Sequence, residues 1–191
     1  MNKILLIIDP QHDFLEGGNL AVEGATAIMD NLAKFIRENG PAYSKIFVTA
    51  DWHPNTHCSF KDNGGIWPNH CVQFTHGAAI YQPIIDSLNE IKADYTILTK
   101  GVNEDHEEYS IFKNDRSCTK IVNASTALNI TDVDAVGIAY DYCVADSVKD
   151  GLRALPNVNF HVIKDLCPYI AKESADEFTN FIGNTERVWL G

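Results

Sequence analysis

The chain contains 191 residues, of which 45% are hydrophobic, and this size and composition fit one folded domain spanning residues 1–191. Its formal net charge of −11 argues against nucleic-acid binding, because phosphate backbones attract lysine and arginine. No apolar run approaches the roughly 20 residues needed to span a bilayer, and the run at residues 4–8 is too short for the core of a signal peptide. We therefore expect a cytoplasmic protein that binds neither nucleic acid nor membrane.

Apolar runs of strand length alternate with segments of helical periodicity along the chain. The strand-like runs lie at residues 4–8, 46–50, 95–99, 133–139 and 160–163, with a weaker one at 187–190. Apolar residues recur with a helical period at 28–36, 81–91, 145–155 and 178–182, and less regularly at 117–129. The first five strands look buried on both faces, as parallel strands require. The alternation predicts an α/β fold, a three-layer α/β/α sandwich around a mostly parallel six-stranded sheet.

Reactive side chains follow four of the predicted strands at the point where each strand ends. Asp9 follows the first strand, Asp51 the second and Lys100 the third, and Cys143 lies just after the fourth. The carboxyl ends of parallel strands share one edge of a sheet, where α/β proteins bind their ligands. We therefore expect a nucleophile, a carboxylate and a cation to meet in one crevice, a combination suited to nucleophilic catalysis.

The chain has five cysteines and no CxxC pair, so we expect free thiols in a reducing compartment: Cys58, Cys71, Cys118, Cys143 and Cys167. Position distinguishes Cys143, which we expect in the first turn of a helix, where backbone N–H groups and the helix dipole favour a thiolate. A buried core cysteine is the alternative interpretation of Cys143 taken alone. Asp9 and Lys100 at the same edge of the sheet favour the nucleophile.

A second cluster lies in the irregular stretch at residues 51–77, and loops of this length inside a compact domain are usually functional. Asp51, His53 and His70 offer one carboxylate and two imidazoles, which leave coordination positions on a metal ion open for water or substrate. Three further histidines are alternative ligands that spacing alone does not exclude: His12, His57 and His76.

Five motifs occur in the order shared by one family of hydrolases. They lie at residues 8–14 with 17–18, 51–54 with 59–60, 67–73, 100–101 with 109–110, and 137–144. Over residues 4–165 the chain resembles the nicotinamidase branch of the isochorismatase-like cysteine hydrolases. His12 stands where this family commonly has asparagine and Tyr140 where threonine is usual, and neither position is catalytic.

The resemblance implies a catalytic role for three of the strand-end residues. Asp9, Lys100 and Cys143 would form a triad in which Asp9 takes the thiol proton and Lys100 stabilises charge. Ala139 and Cys143 would supply the N–H groups of an oxyanion hole, and the family carries a cis peptide bond here, between Ile138 and Ala139.

The resemblance also implies a metal site. Asp51, His53 and His70 would hold one divalent metal ion, with zinc as the first candidate and iron or manganese as alternatives. Whether His57 or Ser59 assists this site is left open by the sequence.

Phe14, Trp67 and Tyr140 are assigned to the substrate pocket. The implied activity is that of a nicotinamidase, the hydrolysis of nicotinamide to nicotinic acid and ammonia through a cysteine thioester, in NAD salvage and pyridine nucleotide biosynthesis. The metal would bind the pyridine nitrogen and so orient the ring. Pyrazinamide is a related candidate substrate, and a homo-oligomer is compatible with the sequence.

Three other functions remain as alternatives. An isochorismatase-type hydrolase shares the fold but needs no cysteine nucleophile, so Cys143 counts against it. An N-carbamoyl amidohydrolase shares the Asp, Lys and Cys residues but has no use for the metal cluster. A non-enzymatic binding module has no reason to bring a base, a cation and a thiol to one edge of a sheet.

Overall fold

The computed structural model describes residues 2–191 and contains a six-stranded sheet with the strand order β3-β2-β1-β4-β5-β6. Every neighbouring pair in this sheet is parallel. The strands are β1 (Lys3–Ile8), β2 (Lys45–Asp51), β3 (Tyr95–Lys100), β4 (Asp132–Gly137), β5 (Asn159–Val162) and β6 (Val188–Leu190). The predicted parallel sheet is therefore confirmed.

Five α-helices connect these strands: α1 (Ala25–Asn39), α2 (Gln82–Glu90), α3 (Asp115–Ala127), α4 (Ala145–Ala154) and α5 (Lys172–Gly183). From β1 the chain moves along the sheet in one direction to β2 and β3, and from β4 it moves in the opposite direction to β5 and β6. Right-handed crossovers then place α1 and α2 on one face and α3, α4 and α5 on the other. This confirms the three-layer sandwich.

The expected burial of five strands on both faces is correct only for the three central ones. Strands β2, β1 and β4 are buried almost throughout. Strand β3 lies at an edge of the sheet, and Ile97 on it is 44% exposed. Strand β5 also has two residues that are only partly buried. An edge strand has a neighbour on one side only, so solvent reaches part of its surface.

The fourth strand ends earlier than predicted, at Gly137. The φ angle of Gly137 is +118°, and a Cβ atom there would lie 2.0 Å from the carbonyl oxygen of Ile8 on the neighbouring strand. Only glycine avoids this collision. After Gly137 the backbone leaves the sheet and forms a π-helical turn over Tyr140–Val144, so Cys143 lies in this turn and α4 begins just after it, at Ala145.

No helix among residues 2–191 is long and apolar enough to cross a membrane. All five cysteines are free thiols, as expected.

The core forms around the central strands, where the side chains of residues 4–8 are almost completely buried. The point at which the chain reverses its direction along the sheet lies between β1 and β4, and in open α/β sheets such a point leaves a crevice at the carboxyl ends of the strands.

Candidate active site

Asp9, Lys100 and Cys143 meet in the crevice at the carboxyl ends of β1, β3 and β4. The Lys100 Nζ atom lies 2.8 Å from Oδ2 of Asp9 and 3.4 Å from Sγ of Cys143. Asp9 and Lys100 are completely buried, and Cys143 is 6% exposed. The structure therefore brings together the three residues that the sequence assigned to one edge of the sheet.

Thr49, on β2, holds the carboxylate of Asp9 in a fixed orientation. Its hydroxyl donates to Oδ1 of Asp9 at 2.6 Å and accepts from the Asp9 N–H at 3.2 Å. Oδ2 of Asp9 accepts no well-aligned hydrogen bond from residues 2–191, although the Lys100 ammonium is 2.8 Å away. Thr49 thus occupies Oδ1, Oδ2 is paired with the Lys100 ammonium, and the carboxylate lies within 4.8 Å of the Cys143 sulfur.

Burial outweighs charge at Cys143 and favours the protonated thiol over the thiolate that its position before a helix predicts. Burial raises the pKa of Cys143 well above that of a free thiol, because the positive charge of Lys100 offsets only part of the desolvation. Burial alone would lower the pKa of Lys100, but the carboxylates of Asp51 and Asp9 hold it well above its usual value. Burial also raises the pKa of Asp9, against the opposing charge of Lys100. A more basic Asp9 is a better acceptor for the thiol proton.

Asp51, His53 and His70 form the second cluster, and each can offer a ligand atom within 4.8 Å of the others. The Nδ1 atom of His53 is 2.9 Å from the carbonyl oxygen of Gly101, and Nδ1 of His70 is 2.8 Å from that of Pro68. A carbonyl only accepts, so both Nδ1 atoms carry a proton and the two Nε2 atoms are the nitrogens left to face a metal, that of His53 lying 3.6 Å from Oδ2 of Asp51.

Protonation in this cluster also suits a metal ion. Burial would raise the pKa of Asp51, but the positive charge of Lys100 holds it well below its usual range, so the carboxylate is ionised. Burial lowers the pKa of His70, which favours the neutral imidazole that a metal binds. One carboxylate and two oriented imidazoles therefore fit a divalent transition metal such as zinc.

His57 lies beside this cluster but has both ring nitrogens engaged elsewhere. Its Nδ1 atom is 2.7 Å from the Ser59 hydroxyl, and its Nε2 atom is 3.1 Å from the carbonyl oxygen of His106. The ring packs against that of His53, with centroids 4.0 Å apart. Burial, together with the neighbouring His53, lowers the pKa of His57 to about 4. This arrangement favours a supporting role for His57 rather than metal coordination.

His12 and His76, the two remaining alternatives, lie outside the cluster. Their rings contact each other, with centroids 4.1 Å apart. Both line a separate cavity beside Glu16 and Tyr81. The structure therefore does not bring either histidine to Asp51.

Three residues without an assigned role in the sequence analysis support the two clusters. Gln11 bridges to the Asp51 backbone, accepting from its N–H at 2.7 Å and donating to its carbonyl oxygen at 2.8 Å. Asp13 accepts from the Cys71 N–H at 2.7 Å, next to His70. Thr49 is the third. Gln11 and Asp13 lie in the first motif of the resemblance, and a polar residue inside the apolar run at 46–50 was the available signal for Thr49.

A cavity lies between the two clusters. Phe14 and Trp67 line it, as expected. The other lining residues are Leu20, Asp51, His70, Glu107, Tyr109, Ala139, Tyr142, Cys143 and Ile170. Burial and the nearby Asp51 raise the pKa of Glu107. The cavity is therefore mainly apolar and aromatic, with the thiol and the metal cluster both on its surface.

Tyr140 does not line this cavity, contrary to its assignment to the substrate pocket. Its side chain is completely buried, its hydroxyl is 2.9 Å from Oγ1 of Thr179 on α5, and its ring packs on Phe178. Tyr142 lines the cavity instead. Residues two positions apart in a helical turn point in different directions, and in this turn only the second tyrosine faces the substrate side.

The aromatic residues of the cavity hold one another in place. The indole N–H of Trp67 donates to the hydroxyl of Tyr109 at 2.8 Å. The ring of Tyr142 meets both rings edge-on, with centroids 5.2 Å from Trp67 and 5.6 Å from Tyr109. Edge-to-face contacts and a hydrogen bond to the polar end of tryptophan give a rigid wall for a flat ligand.

Ala139 and Cys143 both lie on the surface of the cavity. The peptide bond between Ile138 and Ala139 is cis, as the resemblance implied. The Ala139 N–H has no hydrogen-bond acceptor among residues 2–191, whereas its carbonyl accepts from the N–H groups of Tyr142 and Val144, each at 3.1 Å. A donor of this kind beside the thiol is available to a developing oxyanion.

Comparisons with known proteins identify the family of this chain. The family model described as the isochorismatase domain matches residues 3–184. The nicotinamidase of Acinetobacter baylyi is 34% identical over 187 residues, covering 88% of this chain and 82% of that protein. The nicotinamidase/pyrazinamidase of Mycobacterium tuberculosis is 34% identical and covers 79% of each chain. The structure of the pyrazinamidase of Pyrococcus horikoshii in complex with zinc has a TM-score of 0.85 and 27% identity, covering 100% of this chain and 99% of that one. The chain belongs to the isochorismatase family.

Proposed function

We propose that this enzyme hydrolyses nicotinamide to nicotinic acid and ammonia, a reaction of NAD salvage. The observation that carries the proposal is that one cavity joins a buried Asp–Lys–Cys triad to a carboxylate–imidazole cluster. The triad suits amide hydrolysis, and the cluster suits recognition of a substrate with a further donor atom. Four curated relatives at 29–34% identity that carry the name nicotinamidase support this choice of amide.

In the first half-reaction, Cys143 attacks the carboxamide carbon while Asp9 takes the thiol proton. The resulting oxyanion accepts hydrogen bonds from the N–H groups of Ala139 and Cys143. Lys100 lies within 3.4 Å of the sulfur and stabilises its developing negative charge. Asp9 then gives the proton to the departing amino group, which leaves as ammonia, and a thioester between the pyridine carbonyl and Cys143 remains.

In the second half-reaction, water hydrolyses the thioester. Asp9 takes a proton from the water, the hydroxide adds to the thioester carbonyl, and the same two N–H groups stabilise the oxyanion. Expulsion of the sulfur releases nicotinic acid, and the proton on Asp9 returns to Cys143. The two steps together consume one water and leave the enzyme unchanged.

Asp51, His53 and His70 would hold the divalent metal ion of this site, and we propose zinc. A metal bound there supplies an open coordination position for the pyridine nitrogen, so that the ring is oriented with its carboxamide towards Cys143. Mixed nitrogen and oxygen donors support zinc, as does the zinc complex of the Pyrococcus horikoshii relative. Five free thiols in the chain support a reducing compartment, and we place the enzyme in the cytoplasm.

Hydrolysis of an N-carbamoyl amino acid is the second candidate function, since the triad is equally able to cleave it. The metal cluster argues against it, because that reaction has no need of two oriented imidazoles. The deciding experiment measures ammonia release from nicotinamide, from an N-carbamoyl amino acid and from isochorismate by the zinc-loaded protein. We expect turnover of nicotinamide alone, and turnover of only the carbamoyl compound would contradict the proposal.

A further inference from the structure

Ile170 separates the substrate cavity from a second, larger cavity. Among residues 2–191, Ile170 is the one residue that the linings of the two cavities share, and it is 40% exposed. The second cavity has a volume of about 840 Å³, is partly open to solvent, and lies between the start of α1 and the segment that precedes α5. Among its lining residues are Ala21, Val22, Pro168 and Tyr169. Leu20, the residue before Ala21 in the chain, lines the substrate cavity instead. The wall between the two cavities therefore contains Ile170 and Leu20.

The carboxylate of Asp141 fixes the position of Ile170. It accepts from the Ile170 N–H at 3.0 Å, from the Ala171 N–H at 2.9 Å and from the Ser174 hydroxyl at 2.7 Å. The residue at the N-cap of α5 is Ala171, whose side chain cannot accept a hydrogen bond. Asp141 supplies the missing acceptor from another part of the chain, and its charge suits the positive end of the helix.

Asp141 also lies two residues before Cys143 in the same turn. The Tyr140 N–H of that turn donates to the carbonyl oxygen of Pro168 at 2.8 Å. The segment that carries the nucleophile and the segment that carries the wall are therefore joined by backbone and carboxylate hydrogen bonds. A change in Asp141 would let Ile170 move relative to Cys143 without removing any group that touches the substrate.

We propose that Ile170 determines substrate specificity by limiting the size of the aromatic ring, and that Asp141 is the positioning residue that holds it. This inference rests on the proposed function in taking aromatic carboxamides as the substrates. Single-ring amides are the substrates that the proposed function assigns to this cavity. A fused second ring, as in quinoline-3-carboxamide, is rejected by the wall and would fit if the two cavities were joined.

The first test compares Ile170→Ala with Tyr169→Ala, a matched control that lines only the outer cavity. Removing three carbons from the wall should raise the ratio of kcat/KM for quinoline-3-carboxamide over nicotinamide by about tenfold or more, the scale on which apolar pockets discriminate size. Tyr169→Ala should leave the ratio unchanged. An unchanged ratio in Ile170→Ala, or an equal rise in both variants, would overturn the proposal.

The second test separates the positioning role of Asp141 from a merely structural one. Asp141→Asn places an amide N–H₂ group, which only donates, among three hydrogen-bond donors, so we expect Ile170 to be held less firmly. The ratio of kcat/KM for quinoline-3-carboxamide over nicotinamide should then rise about threefold or more, since specificity follows pocket shape. Ser174→Ala removes one of the three hydrogen bonds but keeps both backbone contacts to the wall, so the ratio should stay at the wild-type value. An equal rise of this ratio in Ser174→Ala and Asp141→Asn would show that Asp141 only caps α5 and does not position Ile170.

A third measurement does not depend on which amide is the substrate. Cys143 is alkylated with iodoacetamide and with N-(1-naphthyl)iodoacetamide, and labelling of the Cys143 peptide is followed by mass spectrometry. Ile170→Ala should accelerate the bulky reagent relative to the small one by about tenfold, and Tyr169→Ala should not. If Ile170→Ala accelerates labelling by the bulky reagent but wild-type protein does not hydrolyse nicotinamide, Ile170 still forms the wall and the proposed function is contradicted. If wild-type protein hydrolyses nicotinamide but Ile170→Ala leaves the relative labelling rates of the two reagents unchanged, Ile170 does not limit access to Cys143 and the proposal is contradicted.

Discussion

The ammonium of Lys100 donates a hydrogen bond to Oδ1 of Asp51, so the cation of the triad also contacts a proposed metal ligand. The same ammonium forms the ion pair with Asp9. Two buried carboxylates thus depend on a single buried positive charge. The catalytic and metal clusters are connected through this side chain as well as through the cavity between them.

Lys100→Met should strongly destabilise the protein for this reason. Methionine nearly matches the volume of lysine but leaves Asp9 buried without its counter-ion and removes the lysine partner of Asp51, and breaking a buried ion pair costs about 3–5 kcal/mol. Urea unfolding of the zinc-loaded variant measures the loss. Lys172→Met, which removes an exposed ion pair with Asp176, is the control and should leave the free energy of unfolding unchanged within error. If both substitutions change the free energy of unfolding equally, the buried ion pairs of Lys100 contribute no more to stability than the exposed pair of Lys172.

Thr49→Val should shift the pH dependence of the enzyme while retaining the shape of the side chain. The hydrogen bond from Thr49 lowers the pKa of Asp9, so its loss raises that pKa further. Asp9 must be ionised to accept the thiol proton, and the acidic limb of the kcat/KM profile should therefore move to higher pH. Loss of the fixed carboxylate orientation should also reduce kcat/KM at the optimum by about tenfold.

Thr49→Ser, which keeps the hydroxyl, is the control for this prediction. It should restore the acidic limb to the wild-type position. A Thr49→Val enzyme whose acidic limb stays in place would mean that Asp9 is not the base titrating in that limb.

Cys143→Ala should abolish turnover while leaving the fold intact, because the thiol faces a cavity and the change in volume is small. Alkylation with iodoacetamide provides a direct check, since loss of activity should parallel labelling of the Cys143 peptide. Cys118→Ala, at a partly exposed thiol outside the cavity, is the matched control and should keep activity. Inactivation by labelling any other cysteine, with Cys143 unmodified, would make the assignment wrong.

His53→Ala should lose the bound metal, whereas His57→Ala should keep most of it. The reason is that Nε2 of His53 faces Asp51 within the proposed ligand cluster, whereas both nitrogens of His57 are engaged by Ser59 and His106. Metal content of the two purified variants, measured by atomic emission after dialysis, distinguishes them. Equal loss in both would identify His57 as a fourth ligand.

The alternation of strands and helices could be predicted because burial leaves a local period in the sequence. The exposure of β3 could not, since its edge position follows from the strand order, which local periodicity does not encode. The same distinction applies to the site. Position along the chain predicted the meeting of Asp9, Lys100 and Cys143 at one sheet edge. The roles of Thr49 and Asp141 depend on partners 40 and 29 residues away, which no local pattern reveals.

The choice of substrate gives the last prediction. A thiol, a carboxylate and a lysine can cleave many amides, so discrimination must come from the other side of the cavity. Phe14 and Trp67 provide apolar surface for a flat ring, and Asp51 and His70 of the proposed metal site line the same cavity.

Nicotinamide and pyrazinamide should therefore be hydrolysed well, and benzamide, which carries the same carboxamide but no ring nitrogen, poorly. A site built around one polar contact rejects an analogue that lacks it, and we expect the kcat/KM for benzamide to be lower by about a hundredfold or more. Ammonia release from the three amides by zinc-loaded enzyme measures this ranking. His53→Ala provides the control, because an enzyme without its metal should lose its preference for nicotinamide over benzamide. If the wild-type enzyme hydrolyses benzamide as fast as nicotinamide, the metal cluster has no part in substrate recognition. The aromatic residues Phe14 and Trp67 would then be the source of specificity.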